Sequence, residues 1–232
     1  MFRFKQFEIR DELSAMKIGT DGVLLGAWAD VGEATTILDV GTGTGLVALM
    51  AAQRNKEAII EGIDIVEAAA VEARQNVASS PWSGRITILH GDIRHYATDK
   101  RYDHIVSNPP FFLSALHSPD VARTTARHTT TLTYDDLMTA AERLLRPEGI
   151  LSVVLPTDCA MQFRHVAFER LWLRRITDVV TRDGEAPKRS LMEFKLTAAP
   201  LMPRHNTLTI HHADGSYTEQ YRRLTEEFYL NF

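Results

Sequence analysis

Short apolar runs rich in β-branched residues alternate with helical stretches along the chain from about residue 36. The first run, TTILDV, enters the glycine-rich turn DVGTGTG at 39–45 and then passes directly into the helical stretch GLVALMAAQR. This alternation is typical of βαβ units, in which a helix connects two parallel strands. The sequence therefore predicts an α/β fold with a Rossmann-like, mostly parallel sheet of seven strands and helices on both faces.

The two ends of the chain depart from this rhythm. The runs LWLRRITDVVT and SLMEFKLTA, separated by the turn-forming residues 183–187, predict an antiparallel strand pair at one edge of the sheet. The N-terminal residues predict an extended strand or hairpin and a short helix at GVLLGAWA. A chain of 232 residues fits one large domain. We expect a single domain over 1–232, with an N-terminal extension at 1–30, a catalytic core at 36–200 and a C-terminal extension at 201–232.

Composition narrows the class of protein. Hydrophobic residues make up 44% and charged residues 24% of the chain, as in an ordinary globular protein. Cys159 is the only cysteine, which excludes an internal disulfide and a thiolate zinc cluster. The histidines show no metal-ligand spacing, so no metal is expected. The N-terminus lacks the order of a signal peptide and no apolar run has membrane-spanning length, so we expect a cytoplasmic protein without a membrane partner.

Charge gives a weaker indication about partners. The net charge of −4 argues against a protein that coats nucleic acid in general. Basic residues are nevertheless concentrated between 164 and 189, where a solvated surface and an RNA-facing patch are both open interpretations. The members of this basic run are Arg164, Arg170, Arg174, Arg175, Arg182, Lys188 and Arg189.

The glycine-rich turn predicts a ligand site. Gly41, Gly43 and Gly45 allow a tight strand-to-helix turn, which without a ligand would be only a turn. The next predicted strand ends at Asp64, 25 residues after Asp39. An acid at the end of that strand binds ribose hydroxyls in nucleotide-binding folds. The spacing departs from the dinucleotide pattern G-x-G-x-x-G. Asp39 would repel a pyrophosphate and suits an ammonium group, which favours a nucleoside that carries an amino acid.

A rigid acceptor group follows the fourth strand of the core, DHIVS, in the stretch SNPPF at 107–111. Each proline fixes its own φ and restricts the residue before it, and neither proline donates an amide hydrogen. The outward groups are therefore acceptors, above all the side-chain oxygen of Asn108, which could hold the hydrogens of a planar NH2 group. Phe111 adds a flat face on which a base could stack. The simpler interpretation is a turn that ends a strand.

Residues 36–155 resemble a class I S-adenosylmethionine-dependent methyltransferase. The resemblance implies that the turn at 39–45 cradles the methionine part of S-adenosylmethionine, that Asp64 takes the ribose hydroxyls, and that Asp92 contacts the adenine between Ile65 and Ile93. Asp92 could also cap a helix. In this superfamily N-P-P-[FYW] marks enzymes that methylate an amino or amide nitrogen, which implies roles in catalysis for Asn108, Pro109 and Phe111.

Three further segments resemble the bacterial tRNA1(Val) adenine(37)-N6 methyltransferases: FKQFEI, AMKIGTDGVLLGAW and the terminal YRRLTEEFYL. This resemblance implies a tRNA anticodon loop as the partner. The cofactor residues that it implies are Lys17, Thr20, Asp21, Asp39, Gly41, Thr42, Gly43, Gly45, Asp64, Ile65, Asp92, Ile93 and Asn108. The substrate residues that it implies are Pro110, Phe111, Arg123, Arg127 and His128.

Several alternatives stay open at this stage. Thr20 or Asp21 could simply cap the first helix, and Arg123, Arg127 and His128 could be solvated loop residues. An rRNA guanine methyltransferase and a protein glutamine methyltransferase would use the same N-P-P chemistry. A nucleotide-binding module without catalysis would keep the same fold.

Overall fold

A computed structural model describes residues 1–14, 17–110, 132–197 and 202–231. Its main element is an eight-stranded sheet, and a separate two-stranded antiparallel hairpin of β1 (Phe2–Arg3) and β2 (Glu8–Ile9) precedes it. The strands of the main sheet are β3 (Thr36–Val40), β4 (Ile59–Asp64), β5 (Ile86–His90), β6 (Tyr102–Ser107), β7 (Leu145–Pro156), β8 (Trp172–Arg182), β9 (Arg189–Lys195) and β10 (Arg204–His211).

The strand order is β10-β8-β9-β7-β6-β3-β4-β5. Strand β9 is antiparallel to both of its neighbours, and the other described pairings of this sheet are parallel. The α/β class and the antiparallel pair formed by β8 and β9 are thus confirmed. The predicted strand count of seven is wrong, because residues 204–211 pair with β8 and form an eighth strand at the edge. The sequence does not indicate this strand, because the first half of β10 is polar and exposed and only Leu208 and Ile210 within it are buried.

Helices cover both faces of the sheet, as predicted. They are α1 (Thr20–Trp28), α2 (Leu46–Arg54), α3 (Glu67–Ala78), α4 (Tyr134–Leu144), α5 (Thr157–Ala167) and α6 (Glu219–Thr225). Neighbouring strand residues point to opposite faces, so Ile37 packs with α1, α2 and α3, whereas Leu38 packs with α4 and α5. The two resulting cores are apolar, and they hold the sheet rigidly beneath the loops at its carboxyl edge.

The N-terminal segment is attached to α3 by two buried polar side chains. The Glu72 carboxylate accepts the backbone N–H groups of Glu12, Leu13 and Ser14 at 2.5, 2.8 and 2.8 Å. The Asn76 amide binds both the N–H and the carbonyl of Arg10, each at 2.9 Å. Buried groups that satisfy several backbone donors at once fix the path of a chain. Residues 10–14 are therefore held against α3.

Candidate active site

One large cavity, of about 800 Å3, lies along the carboxyl edge of the main sheet. In open α/β sheets, ligands bind at this edge. At one end the cavity is lined by the glycine-rich turn after β3 and by the residues that follow β4 and β5. Asn108, Pro109 and Pro110 line it after β6, which pairs with β3. The two motifs that the sequence singled out therefore share one cavity.

The glycine-rich turn is held by the end of the neighbouring strand β4. The N–H groups of Gly41 and Thr42 donate to the carbonyl of Ile63 at 2.9 and 3.1 Å, and that of Gly43 donates to the Asp64 carboxylate at 2.8 Å. Gly41 and Gly43 have positive φ angles of 70° and 55°, which side chains disfavour. Because these three N–H groups already donate to acceptors within the protein, they are not available to bind a pyrophosphate. This geometry favours a ligand without phosphate.

Asp39 supports the turn from inside the protein. It is 1% exposed, and its Oδ2 accepts from the Thr42 hydroxyl at 2.7 Å and from the Ala48 N–H at 3.2 Å. Burial raises the pKa of Asp39 to about 7, and these two hydrogen bonds oppose the rise. A carboxyl group with such a pKa carries its full charge only when a cation lies near it. Asp39 lines the cavity, so a bound ammonium group would be suitable.

Asp64 and Asp92 end two neighbouring strands at the same side of the cavity. Asp64 accepts from the Val66 N–H at 2.8 Å in addition to its bond with Gly43. Asp92 caps the short 3-10 helix Ile93–His95 and pairs with Arg94 at 2.6 Å, and the Arg94 guanidinium lowers the pKa of Asp92. The helix cap expected as an alternative for Asp92 is thus present. Both side chains present acceptor oxygens at the same side of the cavity.

Asn108 directly follows β6 and stands beside the glycine-rich turn. Ser107 pairs with Val40 in the sheet, and its hydroxyl donates to the Val40 carbonyl at 2.8 Å. The side-chain oxygen of Asn108 is buried and has no hydrogen-bond partner among the described residues. An unsatisfied buried acceptor costs roughly 1–3 kcal/mol, and most buried polar atoms in native structures have a partner. Among the described residues, the cavity therefore presents an acceptor without a donor, which suits a ligand N–H group.

The structure also locates the other predicted cofactor residues. Lys17, Thr20, Asp21, Ile65 and Ile93 line the cavity, as do the residues described above except Gly45. Gly45 instead starts α2 with a φ of 82°, and a Cβ there would lie 3.4 Å from that of Ala73, so its position reflects turn geometry and packing.

The first turn of α1 carries Thr20 and Asp21. Gly19 is the N-cap of this helix and provides no side-chain cap, so neither Thr20 nor Asp21 is the cap that the alternative interpretation required. Asp21 forms an ion pair of 2.8 Å with Arg189. The Lys17 ammonium group donates to the carbonyl of Asp11, which ties it to the N-terminal segment.

Phe111, Arg123, Arg127 and His128 lie outside the described residues. The basic run 164–189 is not one patch, because Arg174 and Arg175 pair with the buried Glu193 far from the cavity, and Arg170 pairs with Glu142. Lys188 and Arg189 do line the cavity. Among the described residues, no group of three or more His, Cys, Asp or Glu side chains is arranged to hold a metal ion.

Sequence reasoning missed the second end of the cavity. It is formed by the ends of β8 and β10 and by α6, and its aromatic members are His211, Tyr217, Tyr221 and Tyr229. Tyr217 and Tyr221 are four residues apart, a spacing that brings side chains together on helices, but this signal is too common to indicate a site. No helix in the described ranges is long and apolar enough to cross a bilayer.

Comparison with known proteins agrees with this geometry. Among solved structures, a protein from Agrobacterium tumefaciens that is described as a predicted O-methyltransferase superposes on this chain with a TM-score of 0.71 at 23% identity. The superposition covers 90% of this chain and 96% of that one. The N-methyltransferase NodS from Bradyrhizobium japonicum, solved in complex with S-adenosyl-L-homocysteine, superposes with a TM-score of 0.55 at 18% identity. This superposition covers 75% of this chain and 84% of NodS. The fold is that of the class I methyltransferases.

Sequence comparison is more specific. Residues 18–171 match the family model described as "Methyltransferase small domain". A protein from Bacteroides thetaiotaomicron, named tRNA1(Val) (adenine(37)-N6)-methyltransferase, is 45% identical over 232 residues, which covers 99% of this chain and 97% of that protein. The chain belongs to this methyltransferase family, as the resemblance predicted.

Proposed function

We propose that the protein transfers a methyl group from S-adenosylmethionine to the exocyclic amine of an adenine in tRNA, specifically adenine 37 of tRNA1(Val). One observation carries the proposal: the side-chain oxygen of Asn108, which is buried and has no partner in the described part of the chain, lies in the same cavity as Asp39, Asp64 and Asp92. The specific substrate rests on the relative named above, which aligns with nearly all of this chain.

The described residues suit S-adenosylmethionine. The acceptor oxygens of Asp64 and Asp92 suit ribose hydroxyls and an adenine amine, and the exposed apolar side chain of Ile65 suits a ring face beside Ile93. Asp39, which gains from a neighbouring cation, suits the ammonium group of the methionine part. The turn around Gly41 and Gly43 would cradle that part, since a Cβ at Gly41 would meet no atom within 4 Å and the space beside it is open.

Asn108 would position the acceptor nitrogen. Its oxygen would accept one N–H of the adenine amine, and main-chain carbonyls of the proline-rich stretch could take the other, because Pro109 and Pro110 offer no competing donor. When bound, S-adenosylmethionine supplies an electrophilic methyl group: the N–C bond forms as the C–S bond breaks, and the amine then loses one proton. Positioning and exclusion of water would supply most of the acceleration. Phe111 and the basic residues 123, 127 and 128 are proposed to hold the RNA.

The proposal also concerns context. We infer that residues 1–232 act as one methyltransferase domain, because β10 joins the same sheet as the core strands. We further infer that the enzyme works in the cytoplasm, where its proposed substrate is found.

The test compares Asn108→Ala with Asn206→Ala, a matched change at an exposed position on β10. The substrates are a tRNA1(Val) transcript and the same transcript with guanine at position 37, and the product is N6-methyladenosine measured after nucleoside digestion. We expect Asn108→Ala to lower kcat by about 100-fold or more, as misplacement of a reacting group does, with the affinity for S-adenosylmethionine within about threefold of wild type. Asn206→Ala should behave as wild type.

Each contrary result has a meaning. Unchanged turnover in Asn108→Ala would refute the role of this residue. Faster methylation of rRNA or of a protein glutamine than of tRNA would show that the faster substrate, and not tRNA, is the natural one. Binding of S-adenosylmethionine without methyl transfer to any of these substrates would indicate a nucleotide-binding module without catalysis.

A further inference from the structure

The second end of the cavity is an aromatic wall, defined here as His211, Tyr217 and Tyr221. The rings of His211 and Tyr217 stack with centroids 4.6 Å apart and planes 29° apart, and those of Tyr217 and Tyr221 stack at 5.3 Å and 22°. Tyr221 is 3% exposed whereas Tyr217 is 39% exposed. Tyr217 therefore lies between Tyr221 and His211, and His211, which is partly exposed and lines the cavity, is the outer ring of the column.

The backbone holds this wall in place. His211 ends β10 and forms a β-bridge with Tyr217, and its Nδ1 donates to the carbonyl of Gly215 at 3.1 Å. The Thr218 side chain caps α6 by accepting from the Tyr221 N–H at 3.1 Å. A side chain fixed in this way loses little conformational freedom when a ligand stacks on it.

The strand order decides which ligand the wall faces. Asn108 follows β6, with the cofactor residues of β3, β4 and β5 on one side and β7, β9, β8 and β10 on the other. The wall is thus on the acceptor side of Asn108. Four strand spacings separate β6 from β10, which is roughly 19 Å along the edge. A target base held by Asn108 could not also stack on the wall.

Positive charge lies between these two points. Lys188 and Arg189 line the cavity at the start of β9, midway between β6 and β10. Lys188 pairs with the exposed Glu185 at 3.0 Å and is 60% exposed in its side chain, so it can contact a phosphate as well. Phosphate contacts fix the register of a nucleic acid, and aromatic rings bind its bases.

From this arrangement we propose that the aromatic wall is a subsite for a second, unmodified nucleotide of the substrate RNA, which stacks on the outer face of His211, supported from behind by Tyr217, while Lys188 contacts the intervening phosphates. The inference rests on the proposed function, because it takes the acceptor to be RNA. The wall would select substrates by demanding an unpaired base at a fixed distance from the target adenine.

The test measures RNA affinity separately from chemistry. The probe is a fluorescein-labelled anticodon stem–loop of tRNA1(Val), titrated with protein saturated with S-adenosylhomocysteine. His211→Ala should bind it about 5- to 150-fold more weakly, the factor that loss of one base–aromatic stack produces, and Tyr217→Ala, which removes the ring that supports His211, should show a similar loss. Tyr217→Phe should bind as wild type. Trp172→Ala is the matched control, because Trp172 is 52% exposed but starts β8 at the opposite edge of the sheet.

Two further measurements assign the cause. Replacing the loop nucleotides other than 37 one by one with 2-aminopurine should reveal one position whose fluorescence is quenched by wild type and not by Tyr217→Ala. Lys188→Ala should reduce the slope of log affinity against log salt by about 0.7, the value for one phosphate of a single strand.

The proposal is overturned if Tyr217→Ala and His211→Ala bind the probe as tightly as wild type. It is equally overturned if Tyr217→Phe loses as much affinity as Tyr217→Ala, which would assign the effect to the hydroxyl. A parallel loss of S-adenosylhomocysteine affinity would show that the ring only maintains the cavity. Failure of the proposed function would appear elsewhere, as a wild-type enzyme that does not methylate adenine 37.

Discussion

Replacement of Glu72 by glutamine is the most informative test of how the cavity is built. Glu72 is 1% exposed, and its two oxygens accept three backbone N–H groups from residues 12–14. Ser14 and Lys17, which follow this attachment, line the cavity. Glutamine has nearly the same shape, so the substitution changes the hydrogen bonds and the charge without opening a cavity in the core.

The magnitude follows from the three bonds. A hydrogen bond to a charged group contributes roughly 1.5–3 kcal/mol and a neutral one roughly 0.5–1.5 kcal/mol. The remaining oxygen of glutamine can keep two neutral bonds, and its NH2 group opposes the third N–H, so that bond is lost. Since residues 12 and 13 are exposed and water can replace part of the loss, we expect the free energy of unfolding to fall by about 3 kcal/mol.

The assays are urea denaturation, amide hydrogen exchange and calorimetry with S-adenosylmethionine. Exchange should accelerate at Glu12, Leu13 and Ser14, and cofactor affinity should weaken by roughly three- to tenfold, because a smaller fraction of molecules has the cavity formed. Glu67→Gln is the control: Glu67 is on the same helix but exposed, so its loss should cost less than about 1 kcal/mol. Equal effects of the two substitutions would refute the reasoning.

Two other predictions concern the glycine-rich turn. Because burial raises the pKa of Asp39 to about 7, the folded protein keeps a proton that the unfolded chain releases near pH 4; the stability that Asp39 contributes should therefore decline as pH rises from about 4 to 7. Denaturation of wild type and Asp39→Asn at pH 5 and pH 8 checks this, and a difference between them that does not change with pH would contradict it. Gly45→Ala should destabilise the protein by about 1–2 kcal/mol, because Gly45 has a left-handed backbone conformation. The control Gly32→Ala should be nearly neutral, because a Cβ there would meet no atom within 4 Å. Thermal melting compares the two variants.

Local patterns predicted most of the core. The quoted apolar runs fall on strands β3, β6, β8 and β9, and the quoted helical stretches fall on α1 and α2. The residues Arg146–Gly149, whose Pro and Gly favour a turn, are part of strand β7, where a register shift between Tyr102 and His104 of β6 accommodates them. Helix α5 was not predicted. These differences arise because a short segment between two strands takes its conformation from its neighbours in the sheet as much as from its own residues.

The sequence by itself determined the fold class, the glycine-rich turn and the acceptor stretch at Asn108, and it placed both motifs at one sheet edge. It could do so because periodicity and turn chemistry act between residues close in the chain, and because parallel strands have their carboxyl ends together. Only the tertiary structure decided that Glu72 holds residues 12–14, that Asp21 pairs with Arg189, and that an aromatic wall completes the cavity. The contacts of Glu72 and Asp21 join residues 58 to 168 positions apart, and the wall meets the rest of the cavity only because β10 pairs with β8, so packing, not local pattern, determines them.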